Sequence, residues 1–147
     1  MKRSTFKLYD RLCAIREVNA EQEVARVRAE LHQANSDITD ARAGLERLDA
    51  TRTEMMGGGV AGSVVALLAA ERSGRARAVD EEERAHHDAR KNLDAALGQM
   101  REAKQQVARR DRIAKRMRRE RQDAIARREQ EELDELGTRA QAIKGRS

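Results

Sequence analysis

The sequence contains no proline, a single cysteine and only two aromatic residues, Phe6 and Tyr9, among 147 residues. Two aromatic side chains cannot fill the wide interior of a globular domain, so the core must be a narrow seam. The lone Cys13 excludes an internal disulfide and a site made of several thiolates, and it favours a reducing compartment. A protein without a broad core also lacks the enclosed pocket that most enzymes need.

Long apolar runs are missing as well. The longest uncharged stretch, residues 55–70, has 16 residues and includes four glycines, whereas a membrane-spanning helix needs roughly 20 apolar residues. Charged residues interrupt the basic N-terminus before the apolar run of a signal peptide can form. We therefore expect a soluble protein.

The sequence is rich in charge and in helix-forming residues. Charged residues make up 39% of the chain, and 31 Lys and Arg against 26 Asp and Glu give a net charge of +5. Ala, Arg, Glu, Leu, Lys and Gln dominate, and all of them favour helix. This composition is typical of long helices or coiled coils, and its basic balance is compatible with a nucleic acid, a membrane surface or an acidic protein as partner.

Apolar residues in the first third of the chain alternate at spacings of three and four, which is the heptad pattern of a coiled coil. The unbroken repeat consists of Val24, Val27, Leu31, Ala34, Ile38, Ala41, Leu45 and Leu48. Leu8, Leu12 and Ile15 have the same spacing, but a register shift near residues 18–20 is needed to join them to it. This pattern predicts a first helix over residues 4–55.

A glycine cluster ends the repeat, and each glycine disfavours helix by roughly 1 kcal/mol relative to alanine. The cluster consists of Gly57, Gly58, Gly59 and Gly62. Residues 56–79 are therefore predicted to form a turn that contains a short apolar helix. Ser63 is its expected N-cap and Gly74 its expected stop.

A second helix is predicted over residues 80–140, because Asp80 and Glu83 in "DEEE" have the spacing of a capping box. Residues 141–147 are predicted as a tail. Together these elements define a single all-α domain over residues 1–147, a long antiparallel two-helix coiled-coil hairpin with a short apolar helix or loop at the turn.

The predicted turn also implies a register. If the chain folds back near residue 67, Val27 faces Val107, Ile38 faces Ala96, and Leu8 faces Ala126. Residues beyond about 128 then have no partner in the first helix. This leaves the closing apolar stripe exposed as a candidate docking surface, and the stripe consists of Leu133, Leu136, Ala140 and Ile143.

Chemical motifs are nearly absent. The stretch "GGGVAGS" lacks the lysine of a phosphate-binding loop and follows a helix rather than a strand. His86 and His87 are adjacent, so on a helix they point about 100° apart and cannot both face one metal ion. We predict no catalytic residue, no metal site and no cofactor, and the chain is interpreted as a protein that is not an enzyme.

The strongest charge feature is the segment over residues 101–121, which has ten Lys or Arg against three acidic residues. It predicts a basic helical face. Three interpretations of this face are open: it docks on an acidic protein surface, it is solvated, or it binds nucleic acid. Nucleic acid is the least favoured of the three, because the segment lacks interleaved aromatic residues and no nucleic-acid-binding fold is recognisable.

The two ends of the chain resemble the FliJ/YscO family of stalk proteins from bacterial type III export. The N-terminal resemblance lies in "FKLYDRLCAIRE", through Phe6, Leu8, Leu12, Ile15, Arg16 and Glu17. Near the C-terminus the family carries an Asp-Glu pair followed by an apolar residue, a small residue and an arginine. Here those positions are Asp134, Glu135, Leu136, Gly137 and Arg139.

The resemblance implies a central stalk, similar to the rotor shaft of F-type ATPases, that inserts its terminal end into a hexameric export ATPase without being an ATPase itself. It further implies contacts with the export gate protein and with secretion chaperones, at the cytoplasmic face of the inner membrane. No small-molecule substrate is implied, and the membrane is reached only through the gate protein. Flagellar and virulence-type injectisome systems are both open.

The candidate contact residues follow from this resemblance and from the exposed stripe. The candidates for ATPase binding are Arg116, Arg118, Arg119, Leu133, Asp134, Glu135, Leu136 and Arg139. The candidates for contact with the gate or with chaperones are Val64, Leu67 and Leu68.

Two alternatives belong to other classes. A generic coiled-coil scaffold would use the seam from Val24 to Leu48 to dimerise with another chain. A basic nucleic-acid-binding helical protein would lose affinity steeply as salt is raised.

Overall fold

A computed structural model describes residues 1–146 and shows two long helices and no strand in that range. Helix α1 runs over Arg3–Gly57 and helix α2 over Gly62–Lys144. Arg42 pairs with Glu83 at 3.0 Å, and Asp49, further along α1, pairs with the earlier Arg72 at 2.8 Å. The two helices therefore run antiparallel, and the predicted all-α hairpin is confirmed.

The chain reverses direction within the glycine cluster. Residues 58–61 form the loop between the helices, and Gly59 has a φ of 72°, a left-handed conformation that favours glycine. The Gly58 N–H donates to the Met55 carbonyl at 3.2 Å, and the Val64 N–H donates to the Ala61 carbonyl at 3.0 Å. A short loop was one of the two forms predicted for the turn.

The predicted boundaries of the turn and the second helix were wrong. No separate short helix occupies residues 56–79, and α2 starts at Gly62 instead of residue 80 and passes through Gly74 without a break. The cost of a helical glycine is roughly 1 kcal/mol. Packing of Arg72, Ala76 and Val79, which are buried or half-buried around Gly74, outweighs that cost. The helix also continues to Lys144, into the predicted tail.

The predicted register was also wrong. Val24, Val27 and Ala96 form a buried cluster, against which Leu93, Leu97 and Met100 pack. Val27 therefore contacts Ala96, which precedes its predicted partner Val107 by 11 residues. Ala96 had been predicted to contact Ile38 instead. A shift of 11 residues is about three helical turns and keeps nearly the same face of α2 towards α1, so periodicity cannot choose the register. The position of the loop decides it.

The contacts within the chain divide it into two units. One unit contains residues 15–103, and the other contains residues 1–14 together with residues from 104 onward. The first unit has a buried seam of small side chains, and no polar or charged side chain is buried in the described residues. Its buried apolar residues are Ala20, Val24, Val27, Ala34, Ile38, Val79, Ala89, Ala96 and Ala103.

In the second unit, Tyr9, Asp10 and Cys13 of α1 contact α2. The Tyr9 hydroxyl donates to the Gln106 carbonyl at 3.5 Å, and the Cys13 thiol lies 4.0 Å from the same oxygen. Asp10 pairs with Arg110 at 3.2 Å. Because Asp10 lies opposite Arg110, the neighbouring Leu8 cannot lie opposite Ala126. The predicted contact between Leu8 and Ala126 was therefore wrong.

The N-terminal part of the predicted seam was likewise wrong. Leu8, Leu12 and Ile15 are 68%, 46% and 57% exposed, whereas Cys13 is 1% exposed. Tyr9 and Cys13 are four residues apart and form the helix face that contacts the Gln106 carbonyl. Leu8 and Leu12 lie off that face.

Candidate functional site

The C-terminal part of α2 has no neighbouring element. Every residue from 118 to 146 is exposed, and Met117 is the last half-buried residue before it. Met117 lines a groove together with Met1 and Ile113, so the N-terminus of α1 lies at this level. We call residues 118–146 the free end of α2. It begins about ten residues earlier than the sequence predicted, because the loop lies earlier in the chain.

The free end carries an exposed apolar stripe. Leu133, Leu136 and Ile143 are 61%, 60% and 72% exposed, and their spacing of three and seven residues places them on one helix face. Their exposure is as expected from the sequence. Leucine and isoleucine side chains aligned on an unpartnered helix indicate a contact surface.

Polar contacts on the free end stay within the helix. Arg139 lies 4.0 Å from Glu135, and Gln130 donates to the Asp134 carboxylate at 2.9 Å. Just before the free end, Arg116 pairs with Glu120 at 3.1 Å. Exposed pairs of this kind contribute only about 0.3–0.5 kcal/mol each. They support the helix and leave the charged groups accessible to a partner.

Charge is segregated along this part of α2. Residues 115–128 carry seven Lys or Arg against two acidic residues, and residues 129–135 carry five acidic residues and no basic one. Arg118 and Arg119 lie in the basic block, and Asp134 and Glu135 lie in the acidic block. The site is therefore a helix with a basic band, an acidic band and an apolar stripe.

The candidates for contact with the gate protein or with chaperones lie near the loop and differ in exposure. Leu67 is 70% exposed, whereas Val64 and Leu68 are half-buried. Met55 and Met56 are 41% and 50% exposed and were not among the sequence candidates. Residues 55–70 are uncharged, and Leu67 is the most exposed large apolar side chain among them.

Sequence reasoning missed the role of Arg110, which lies within the basic segment. Its guanidinium pairs with Asp10 of α1 and donates to Asp111 at 2.9 Å. The hydrogen bond to Asp111 raises the pKa of Arg110 above its usual value, and the negative charges of Asp111 and Asp10 act in the same direction. Part of the basic segment thus joins the two helices. A correct register would have revealed this pair.

The described residues offer no metal centre. No group of three or more His, Cys, Asp or Glu side chains within residues 1–146 is placed to hold a metal ion. In the same range, no helix has an apolar stretch long enough to cross a membrane.

Two long antiparallel helices, one of which continues alone as an exposed and charged end, define an all-α helical hairpin. A family model for the flagellar FliJ protein matches residues 10–146. The chain belongs to the FliJ family, whose members are stalk components of the flagellar export apparatus. The predicted resemblance is thereby confirmed. No significant match is found among curated proteins or among solved structures.

Proposed function

We propose that the free end of α2 docks in the hexameric ATPase of the flagellar type III export apparatus and promotes its ring assembly or its hydrolysis of ATP. The contacts would come from the apolar stripe and from the charged residues beside it. The proposed residues are Arg116, Arg118, Arg119, Leu133, Asp134, Glu135, Leu136 and Arg139.

The observation that carries this proposal is the complete exposure of residues 118–146. Most helical stability in proteins comes from tertiary packing, so a partner that surrounds this segment would add the contacts that it lacks. A pore holds a helix by a modest contact, which suits charged bands and a narrow stripe better than a large apolar patch. The flagellar description of the family favours a flagellar system over an injectisome.

At the other candidate surface, Leu67 with Val64 and Leu68 contacts the export gate protein or secretion chaperones. An exposed leucine at a helix start in an uncharged stretch supports an apolar contact there. The protein then works at the cytoplasmic face of the inner membrane, which it reaches through the gate protein.

The seam argues against a generic scaffold. Val24 and Val27 pack against Ala96 of the same chain, so this seam is already occupied within one molecule. Nucleic-acid binding gains no specific support, because Arg110 and Arg116 have carboxylate partners within the chain.

Deleting residues 130–147 tests the proposal. Residues 130–146, as far as the structure describes this segment, include no buried residue. We therefore expect the thermal unfolding midpoint to stay close to that of the full chain, while ATPase co-sedimentation, stimulated ATP hydrolysis and flagellar export are lost. Equal binding and stimulation by the full and shortened chains would show that the free end is not the docking surface.

Point substitutions separate the two surfaces. Leu133→Ser with Leu136→Ser should abolish ATPase binding, whereas the matched control Leu67→Ser, which alters a similarly exposed leucine, should preserve it. Leu67→Ser should instead weaken capture of the gate protein. If both variants lose the same partner, the assignment of the two surfaces is wrong.

A further inference from the structure

The free end of α2 carries charges in a symmetric order around one apolar residue. Arg121 and Arg118 lie four and seven residues before Ile125, and Glu129 and Glu132 lie four and seven residues after it. Positions separated in this way share one face of an α-helix. The five side chains form a face with a basic half, an apolar centre and an acidic half, which we call the Ile125 face.

The Ile125 face is accessible. Ile125 is 49% exposed, and the four charged residues are exposed as well. Within residues 1–146, none of these four side chains forms an ion pair, whereas the neighbouring Arg116 is paired with Glu120. Two positive and two negative charges on one face thus have no counter-charge in their own chain.

We propose that the Ile125 face binds the same face of a second copy of this chain, with the two helices antiparallel. Centred on Ile125, this arrangement places Arg118 opposite Glu132 of the second copy and Arg121 opposite its Glu129. Two-fold symmetry repeats both ion pairs, and the two Ile125 side chains meet at the centre. A parallel pair would instead place arginine against arginine and glutamate against glutamate, which is repulsive.

The charge order also selects the register. A slip of seven residues in either direction would place Ile125 opposite Glu132 or opposite Arg118 of the second copy. Either slip would bring a charged group against an apolar one and would remove the symmetric ion pairs. The centred register alone satisfies all four charges.

Helix α1 does not block this face. Met117 lines a groove with Met1 and is the last half-buried residue of α2, whereas every residue from 118 to 132 is exposed, so α1 ends before the Ile125 face begins. The second copy therefore packs on α2 beyond the N-terminus of α1.

Exposed ion pairs are individually weak, so the pairing is weak and depends on salt. The Debye length falls from about 10 Å at 0.1 M to about 3 Å at 1 M salt. In sedimentation equilibrium of the full chain, we expect a dimer at high protein concentration in 0.1 M salt and a monomer in 1 M salt. A monomer at every concentration in low salt would overturn the proposal.

Charge exchange tests which residues pair. Arg118→Glu with Arg121→Glu, or Glu129→Arg with Glu132→Arg, should each give a monomer, because each variant places like charges opposite one another. An equimolar mixture of the two variants should again form dimers. The control Arg119→Glu with Arg127→Glu changes the net charge equally on other helix faces and should still dimerise. Dimers that survive either single-face reversal would contradict the pairing.

Disulfide cross-linking tests the relative orientation of the two copies. In a chain with Cys13→Ala, Ile125→Cys should form a disulfide-linked dimer readily, because the two residues meet at the two-fold axis. Ile143→Cys should not, since in the antiparallel dimer the two copies of residue 143 lie 36 helical positions apart, or about 54 Å. Equally fast cross-linking at both positions would exclude the antiparallel register. The proposal of self-pairing does not rest on the proposed ATPase contact, and none of these measurements requires the ATPase.

Discussion

At the residue scale, small side chains form most of the buried surface of this protein. Among the described residues, half of the ten buried apolar residues are alanines, and the largest fully buried side chains are those of Val27 and Cys13. Small side chains allow two helix backbones to approach closely, so a seam with almost no aromatic residue can still pack densely. Larger apolar side chains such as Leu8 remain in water because they lie off this face.

A pair of alanine substitutions tests this assignment. Ile38 is 7% exposed and Leu8 is 68% exposed. Ile38→Ala should lower the free energy of unfolding by about 2–4 kcal/mol, because it leaves a cavity in the seam. Leu8→Ala should change it by less than about 0.5 kcal/mol. Urea titrations that rank the two variants in the opposite order would refute the seam described here.

At the element scale, the loop position and the length of α2 determine where the functional surfaces lie. The loop at residues 58–61 sets the register of the hairpin, and the register determines where α1 ends beside α2. The 83 residues of α2 continue through Gly74, Gly98 and Gly137. The free end therefore exists because α2 is much longer than the 55-residue α1.

Two glycines should respond to alanine in opposite ways. A methyl group at Gly74 would meet no atom within 4 Å, so Gly74→Ala should stabilise the protein by roughly 0.5–1 kcal/mol through better helix propensity. Gly59 has a φ of 72°, so Gly59→Ala should destabilise the protein by about 1 kcal/mol. Thermal melts of both variants provide the measurement. Stabilisation by both would mean that the loop is not where the structure has it.

At the scale of the whole molecule, one helix surface serves two proposed partners. Arg118 belongs both to the proposed ATPase contact and to the Ile125 face, so a self-paired chain could not use it to dock. If both proposals hold, release of the second copy precedes docking. The net charge of +5 on each copy opposes the pairing and so favours such an exchange.

Amide hydrogen exchange should be fast in the free end and slow in the buried seam. Amides of the free end have no tertiary contact that protects them, so they should exchange fast in dilute protein at high salt. Amides beside Val27 and Ala96 should exchange only through larger openings, because these residues are buried in the seam. Mass spectrometry of peptic fragments distinguishes the two regions. Equal protection of both regions in the monomer would imply a neighbour for the free end that the structure lacks.

The sequence alone determined the helical class, the antiparallel hairpin and the approximate position of its loop. These features follow from local properties, namely helix propensity, the heptad repeat and the glycine cluster. The stripe at Leu133 and Leu136 was also recognisable, because helical spacing extends beyond any available partner. The resemblance at the chain ends identified the family.

Only the tertiary structure decided the register, the seam near the N-terminus and the start of the free end. A shift of 11 residues, about three helical turns, returns nearly the same helix face, so the contact of Val27 with Ala96 depends on loop geometry and on the fit of side chains. Cys13 rather than Leu12 is buried because Cys13 lies on the face that contacts Gln106 of α2. Gly74 remained helical because the contacts around it outweigh a local preference of roughly 1 kcal/mol.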